Sequence, residues 1–464
     1  MRPLPISAHL ASPRRLLPVG AGLLLAVLWP VTAYRVSPVL LPAVLALCGL
    51  AVVVLRRPAA GVAAVLALTP LQNLTIGGVR PMNLVIPAIA AGLVGLILLR
   101  PTEPVRGPGF LLRPAALAMV LAGLASSLLA IDPARSVNDM TVLLVAAALL
   151  FVTMECGRTR EDVLLIVAGA AAGLLVAAGH GLLQQASGSF EAFTADTSLD
   201  TIGRIQGAFG HPNAYGSFLA LLMPVAGALA LTRAASAPMR LLGAAALALA
   251  VPAIVLSYSR GAIGAVVVGT LLWLAFARPR AALGLAALVA ILGVSFAPSV
   301  VQERFAETSS DVPLRSDIWH AALDIYSQHP VFGAGLSNFS EAYESLPATI
   351  PGGAQRRLLH ETQLLVPPHA QNLYLNVLAE QGIVGFAALL VFLVTTLWVL
   401  VAATRSREPT ARVLAIGIGA GLLGFLLQSG LDALLFGEHA APIFALAGVG
   451  ACLLRLAREA DAEA

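Results

Sequence analysis

Residues 163–183 read VLLIVAGAAAGLLVAAGHGLL, and His180 is the single polar side chain in this stretch. About 20 apolar residues are enough for a helix to cross the hydrocarbon core of a bilayer. The whole chain of 464 residues has a similar composition, since 58% of it is hydrophobic, 11% is charged and the mean hydropathy is +0.88. Soluble domains are about half apolar and about a quarter charged. The composition therefore excludes a soluble enzyme, a disordered protein and a secreted disulfide scaffold, and it indicates an integral membrane protein.

Similar apolar runs recur along the chain and predict an all-α polytopic membrane protein with about 12–14 transmembrane helices. All 28 basic residues are arginine, and most of them fall in alternate short loops, which is typical of loops on the cytoplasmic side. This alternation predicts an even number of spans with both termini in the cytoplasm. The third and sixth candidates are the weakest of the predicted spans, which are 16–34, 38–55, 58–74, 82–99, 112–130, 140–154, 163–183, 214–232, 239–257, 261–277, 281–298, 383–402, 412–430 and 440–457.

Two polar segments, 184–213 and 299–371, interrupt the apolar texture, and both fall on the predicted outer side. Loops of this length usually carry function. The second segment is long enough to form a small cap with short helices, because Ile318, Trp319, Ala322, Leu323 and Tyr326 recur at helical spacing over 314–329. The chain thus divides into N-terminal transmembrane helices (1–183), central transmembrane helices (184–298), a periplasmic loop or cap (299–371) and C-terminal transmembrane helices (372–464).

Three arginines on the predicted outer side are candidates for binding a ligand. Arg204 lies in GRIQGAFGHPNAYG, Arg260 lies in SYSRGAIG, and Arg315 lies one turn before Trp319 on the same side of the predicted helix. An arginine close to the hydrocarbon is costly unless it faces a polar cavity or a partner, and its forked guanidinium suits phosphate oxygens. The alternative is that these side chains only extend to lipid headgroups.

The segment PPHAQNLYLNVLAEQGIVG, residues 367–385, enters a predicted span. Proline is favoured in the first turn of a helix, so Pro368 predicts a helix start. Such a helix would align His369, Asn372, Asn376 and Glu380 in one polar stripe. A polar stripe that enters a membrane span indicates the wall of a cavity rather than a face toward lipid.

Several kinds of site have no support in the sequence. No histidine or acidic cluster has metal-ligand spacing, and the serine-hydrolase and phosphate-loop patterns are missing. The cysteines at 48, 156 and 452 are scattered, which argues against a disulfide framework and a zinc site. No basic stretch is interleaved with aromatic residues, so nucleic acid is not an expected partner. We therefore expect no metal and no cofactor, with anionic ligands bound by arginine.

Four segments, in this order, resemble the O-antigen ligase and O-antigen polymerase superfamily of bacterial membrane glycosyltransferases: GRIQGAFGHPNAYG, SYSRGAIG, RSDIWHAALDIYSQHPVFGAGLSNF and HAQNLYLNVLAEQGIVG. The resemblance implies a metal-independent, inverting enzyme of the bacterial inner membrane whose active site faces the periplasm. It would take an oligosaccharide from an undecaprenyl diphosphate carrier for cell-surface polysaccharide biosynthesis. The acceptor is lipid A-core for a ligase and another lipid-linked glycan for a polymerase, and the sequence leaves both open.

The resemblance also implies roles for individual residues. Arg204 and Arg260 match arginines that hold the diphosphate, and we group Arg315 with them. The family histidine directly precedes an asparagine, whereas this sequence has Gln371 at that position and His369 two residues earlier. We hypothesise that His369 is the catalytic base and that Glu380 orients it, with Gln371 as the alternative at the family position. The residues expected to bind substrate or acceptor are His211, Asn213, Asn372 and Asn376.

A second class of function stays open, since some relatives were proposed to transport bicarbonate or other solutes. A transporter should place its charged residues near the middle of the membrane on broken helices. In this sequence the charged residues gather at the predicted outer ends of the spans, which favours the enzyme.

Overall fold

The structure is a computed structural model that describes residues 57–74, 82–99, 108–188, 203–286, 315–347, 367–435, 437 and 439–463. Throughout these ranges the regular structure is helical. A further helical stretch covers 279–286, and short 3₁₀ turns lie at Thr69–Leu71 and Pro108–Leu111. The helices are α1 (Pro58–Leu68), α2 (Met82–Leu99), α3 (Leu112–Leu128), α4 (Pro133–Cys156), α5 (Arg160–Ser187), α6 (Pro212–Leu231), α7 (Ala237–Leu256), α8 (Arg260–Ala277), α9 (315–328), α10 (Phe339–Ser345), α11 (Leu373–Thr404), α12 (Pro409–Gln428) and α13 (Ala440–Glu463).

Eight of the described helices are long and apolar enough to cross a membrane, namely α3 to α7 and α11 to α13. This confirms the prediction of an all-α polytopic membrane protein. The predicted spans 16–34 and 38–55 lie outside the described residues, as does most of 281–298. Every other predicted span falls on a helix.

Several predicted spans have different bounds in the structure, and two of these differences are explained by a single residue. The span expected at 58–74 is the shorter α1 followed by a 3₁₀ turn, because Pro70 has no N–H group with which to continue an α-helix. The span expected at 140–154 begins earlier, at Pro133. The Asp132 side chain accepts a hydrogen bond from the Ala134 N–H and caps this helix. The second turn of this helix is polar and contains Asp139, so hydropathy alone placed the start of the span too late.

Antiparallel helices with short connections sort the helix ends into two groups. At one end, which we call the arginine-rich end, Arg57 pairs with Asp162 at 3.1 Å, Arg160 pairs with Glu408 at 3.4 Å, and Arg113 pairs with Glu155. The opposite end, which we call the site end, collects the connections 203–211, 257–259 and 429–439 together with the cap residues. This grouping agrees with the predicted alternation of the loops, and the side of the membrane stays a prediction.

Glycines allow α8 and α12 to pack very closely. A Cβ atom added to Gly269 would lie 2.5 Å from the Cα atom of Gly424, so a larger residue would force the helices apart. Toward the site end of the same pair, a Cβ atom on Gly261 would lie 3.6 Å from Cγ of Gln428. The start of α8 and the end of α12 therefore share one corner of the site end.

The described part of the cap packs into a small hydrophobic core that also includes Ala379 of α11 and is separate from the main core of the bundle. The amphipathic helix predicted over 314–329 is confirmed as α9, but its buried face differs from the predicted one. Ala321 and Ile325 are buried, whereas Leu323 is 45% exposed. The reason is that α9 packs against Phe339 and Tyr343 of the cap, so these residues determine its apolar face.

Asn338 attaches the cap to the corner between α3 and α4. Its Oδ1 accepts from the Asp132 N–H at 2.6 Å, and its Nδ2 donates to the Asp132 carbonyl at 3.1 Å. The Ser136 hydroxyl donates to the carbonyl of Leu336 at 2.7 Å. Asn338 is fully buried, so these bonds are shielded from competition by water.

Helix α11 is broken at Gly382, where φ is 63° and ψ is −164°. The cap segment 330–335 provides hydrogen-bond partners for backbone groups freed by the break. These bonds run from Ala334 N to Ala379 O (2.9 Å), Gly335 N to Glu380 O (2.9 Å), Ile383 N to Pro330 O (2.9 Å) and Val384 N to Val331 O (3.2 Å). A Cβ atom on Gly333 would lie 2.1 Å from the carbonyl carbon of Glu380. The glycines of VFGAG and EQGIVG therefore serve one joint between the cap and α11.

Candidate functional site

Arg204 fastens the loop 203–211 to the ends of two helices. Its Nε donates to the carbonyl of Ser257 at 2.9 Å, and its Nη2 donates to Oδ1 of Asn213 at 3.0 Å. Ser257 follows α7, and Arg260 is the first residue of α8 three positions later. The structure therefore brings the two arginines expected to bind diphosphate to the same corner of the site end.

His211 caps the N-terminus of α6. Its Nδ1 accepts from the Asn213 N–H at 3.1 Å, and Pro212 occupies the first helical position, so the predicted turn into the helix is confirmed. Each of these side chains has a local partner within the protein, because Asn213 also accepts from Arg204. Contact of His211 and Asn213 with a substrate stays a prediction.

The predicted helix start at Pro368 is wrong. Helix α11 begins at Leu373, and the Oδ1 of Asn372 caps it by accepting from the N–H groups of Tyr374 and Leu375 at 3.0 and 3.1 Å. Asparagine is among the best N-cap residues, and it sets the start of the helix here. The segment 367–371 is not helical, and Gln371 has a φ of 50°. His369 therefore does not continue the helical stripe of Asn376 and Glu380.

His369 instead lies in a turn that fixes its imidazole. Its Nδ1 accepts from the Gln371 N–H at 3.1 Å, so a neutral imidazole in this geometry carries its proton on Nε2. That Nε2 lies 3.8 Å from Oδ1 of Asp432. Burial lowers the pKa of His369, Asp432 raises it, Arg315 lowers it, and the net direction is downward. The imidazole is therefore neutral near pH 7.

Arg315 joins the same group of residues. Its Nη1 donates to the carbonyl of Leu431 at 2.6 Å, next to Asp432 in the turn that follows α12. The start of α11 holds this turn as well, since Leu373 N donates to Ser429 O at 2.8 Å. Three distant parts of the chain, namely the start of α9, the turn before α11 and the turn after α12, thus meet around His369.

Sequence reasoning missed Asp432. The signal was a carboxylate directly after an apolar span, in a short connection on the predicted outer side that also contains Glu438. Its pairing with His369 depends on the docking of that connection on α11, which includes a hydrogen bond from Asn372 Nδ2 to the Gly430 carbonyl at 3.0 Å. Local sequence patterns do not report such a contact.

Glu380, which we expected to orient the histidine, lies further along α11 and is buried. Its Oε1 accepts from the Phe339 N–H at 3.2 Å, at the first residue of α10. Its carboxylate also hydrogen-bonds to the side chain of Asn376, whose Oδ1 accepts from the Ala370 N–H at 2.9 Å. The carboxylate beside the imidazole is that of Asp432, and Glu380 is connected to the His369 turn through Asn376.

His439 has a structural role next to this site. It is buried, and burial lowers its pKa to about 4, so it is neutral at physiological pH. Its Nε2 lies 3.1 Å from the carbonyl of Ala214, and its ring packs against Phe209, Phe218 and Phe425. It thereby holds the start of α13 against the start of α6.

Within the part of the chain that the structure describes, no three histidine, cysteine, aspartate or glutamate side chains are grouped closely enough to hold a metal ion.

Residues 245–390 match the family model described as O-antigen ligase. This match supports membership of the chain in the O-antigen ligase and polymerase superfamily, which the sequence motifs also indicate. The matched region is about a third of the chain and contains seven of the predicted site residues, namely Arg260, Arg315, His369, Gln371, Asn372, Asn376 and Glu380. Arg204 and Asp432 lie outside it and join the site through the fold. No curated protein was found to match the chain.

Proposed function

We propose that this member of the O-antigen ligase superfamily transfers a glycan from undecaprenyl diphosphate to a lipid or glycan acceptor at the periplasmic face of the bacterial inner membrane. The observation that carries the proposal is the gathering of Arg204, Arg260 and Arg315 with the His369–Asp432 pair at one end of the bundle. Guanidinium groups suit a diphosphate because their planar fork matches phosphate oxygens.

The arginines would act on the leaving group. As the bond between the anomeric carbon and the diphosphate oxygen breaks, negative charge grows on the diphosphate, and positioned cations stabilise it. Arg260 is exposed at the N-terminus of α8, where the helix dipole also favours an anion. Arg204 holds the preceding turn through Ser257 and thereby sets the position of Arg260. A diphosphate held in this way needs no metal to leave.

The His369–Asp432 pair would act on the acceptor. The acceptor hydroxyl attacks the anomeric carbon from the side opposite the diphosphate. Its proton passes to Nδ1 of His369, which gives up the hydrogen bond from the Gln371 N–H, while Asp432 stabilises the Nε2–H of the resulting imidazolium. A neutral imidazole is the form that can take part in such a transfer, and the lowered pKa of His369 maintains that form near pH 7. The products are the elongated or lipid-attached glycan, with inverted anomeric configuration, and undecaprenyl diphosphate.

Purified protein in liposomes, supplied with an undecaprenyl-diphosphate-linked glycan, tests the proposal directly. Lipid A-core in one reaction and a second lipid-linked glycan in another separate a ligase from a polymerase. Transfer should continue in EDTA. Absence of product with both acceptors would refute the proposal that the protein is a glycosyltransferase. Loss of activity in EDTA that magnesium restores would refute the proposal that the transfer needs no metal.

The predicted orientation is tested in cells. Single cysteines replacing the exposed residues Gln328 at the site end and Arg407 at the arginine-rich end are introduced into a cysteine-free chain. An impermeant thiol reagent applied from the periplasm should label the first and spare the second. Equal labelling of both would contradict the orientation.

A solute transporter is the second candidate, and the break in α11 favours it, since transporters bind their cargo at broken helices. The cap segment 330–335, however, binds the carbonyls of Ala379 and Glu380 and the N–H groups of Ile383 and Val384, so these groups are not open to a solute. The same liposomes, loaded without glycan, should accumulate no labelled bicarbonate. Uptake of bicarbonate by a protein that transfers no glycan would favour the transporter over the glycosyltransferase.

A further inference from the structure

Tyr258 has a backbone conformation that suits glycine better. Its φ is 50°, in the left-handed region. A side chain costs free energy there, and a bulky residue in this region is an outlier that often marks a ligand site. Tyr258 shares this region with two other non-glycine residues of the described chain, Ser337 and Gln371. It is the only aromatic residue of these three.

The turn around Tyr258 is held by its serine neighbours. The Ser257 hydroxyl donates to the Ile254 carbonyl at 2.6 Å, and its oxygen accepts from the Ser259 N–H at 3.2 Å. The Ser259 side chain then caps α8 by accepting from the Ala262 N–H. Glycine at position 258 would keep all of these bonds and relieve the strain. The turn by itself therefore gives no reason for a tyrosine.

The position of Tyr258 suggests what the ring is for. It lies at the tip of the α7–α8 hairpin, between Ser257, which binds Arg204, and Arg260. The residue is 45% exposed although it carries a large aromatic ring. A polyprenyl chain attached to a diphosphate at these arginines must run back toward the bilayer. The group that lies toward the tip of the hairpin is then the glycan.

We propose that Tyr258 is a substrate-binding residue whose ring packs against the sugar directly attached to the diphosphate. The proposal rests on the proposed function, because it takes Arg204 and Arg260 to hold that diphosphate. A tyrosine ring offers a flat apolar surface to the C–H face of a pyranose and a hydroxyl for its polar edge. Binding energy gained from the sugar explains why a strained residue is kept at the tip of the turn.

The test separates this contact from a structural role. Tyr258→Gly should still fold and accumulate in the membrane, because glycine accepts the left-handed conformation and leaves the serine hydrogen bonds of the turn in place. It should also raise the KM for the lipid-linked glycan about tenfold, the scale of one aromatic contact. Tyr258→Phe keeps the apolar face and loses only the hydroxyl, so its KM should lie between those of the wild type and Tyr258→Gly. Ser337→Gly, which relieves the same strain within the cap, is the matched control and should leave the KM unchanged.

Binding of undecaprenyl diphosphate without a sugar identifies the part of the substrate that is contacted. Tyr258→Gly should bind this sugar-free lipid as tightly as the wild type. If Tyr258→Gly weakens binding of the sugar-free lipid and of the glycosylated lipid equally, the ring contacts the polyprenyl chain and not the sugar. That result would overturn the proposal. A wild-type KM in Tyr258→Gly would overturn it as well. If the wild-type protein transfers glycan in the same assay, these two results contradict the role of Tyr258 and not the proposed function. An inactive wild type would count against the proposed function itself.

Discussion

The pairing of His369 with Asp432 makes a quantitative prediction about activity. The two atoms Nε2 and Oδ1 are 3.8 Å apart, and the side chains are 34% and 13% exposed. Once the imidazole has taken the proton, the two unit charges at that distance attract by about 1 kcal/mol in water and about 4 kcal/mol at an effective dielectric constant of about 20. His369→Ala and Asp432→Ala should each lower kcat/KM for glycan transfer by about 10²-fold, the usual size of an acid–base contribution. The double variant should be no slower than the slower single variant, because groups that act as one unit are not additive.

The lowered pKa of His369 also predicts how the rate of glycan transfer changes with pH. The neutral imidazole is the active form, and burial lowers the pKa of His369. Activity should therefore persist as the pH falls through the ordinary histidine range, about pH 6.5, and drop only below it. Asp432 raises this pKa, so Asp432→Asn should move the drop to lower pH. Arg315 lowers it, so Arg315→Gln should move the drop to higher pH.

Gln371→Ala is the matched comparison for these variants. It keeps the backbone N–H that donates to His369 Nδ1, and it removes only the side chain that occupies the family histidine position. Its activity should stay within a few-fold of the wild type at equal membrane abundance. A large loss of activity in Gln371→Ala, together with almost no loss in His369→Ala, would refute the catalytic role of the His369–Asp432 pair. A double variant of His369 and Asp432 that is slower by about 10⁴-fold would show independent roles and refute it as well.

Three further changes test other parts of the structure. Arg260→Lys should lower transfer by about tenfold or more, because an ammonium cannot form the guanidinium fork, while Arg407→Lys at the arginine-rich end should have no effect in the same assay. Glu380→Gln should stay active because its amide oxygen still accepts from α10, whereas Glu380→Ala should lower the free energy of unfolding by about 2 kcal/mol in denaturation. Gly382→Ala should lower it by about 3 kcal/mol, since its Cβ would lie 2.3 Å from a cap carbonyl oxygen, and Gly264→Ala, with open space around it, should be neutral in thermal melting.

The bundle helices were predictable because each one is a local apolar run, and a run of this kind must be helical in a bilayer. The errors fall at helix ends, because a single residue there can set where a helix begins or ends. Pro70 ends the α-helix early, and Asp132 starts α4 earlier than hydropathy suggests. Asn372, and not Pro368, starts α11, because its side chain caps two N–H groups at once.

The candidate site was predictable only in part. Arg204 and Arg260 are marked by being charged among apolar and small residues, and the sequence places both near the ends of spans that face the same side. The partner of His369 was not predictable, since Asp432 comes from a connection 63 positions away whose docking depends on backbone contacts with Leu373. The predicted stripe failed for the same reason, because the turn that holds His369 is shaped by Asn376 and Gln371 rather than by helical spacing.

The break in α11 links the cap to the site. The cap segment 330–335 binds backbone groups on both sides of Gly382, and Glu380 fixes the start of α10. Through Asn376, the same carboxylate is connected to Ala370, in the turn that presents His369. An unbroken helix would satisfy its own backbone groups and leave the cap without these anchors. The glycine-rich motif of the cap and that of α11 therefore form a single structural unit, which holds α9 with Arg315 and the His369 turn against the same end of the bundle as Arg260.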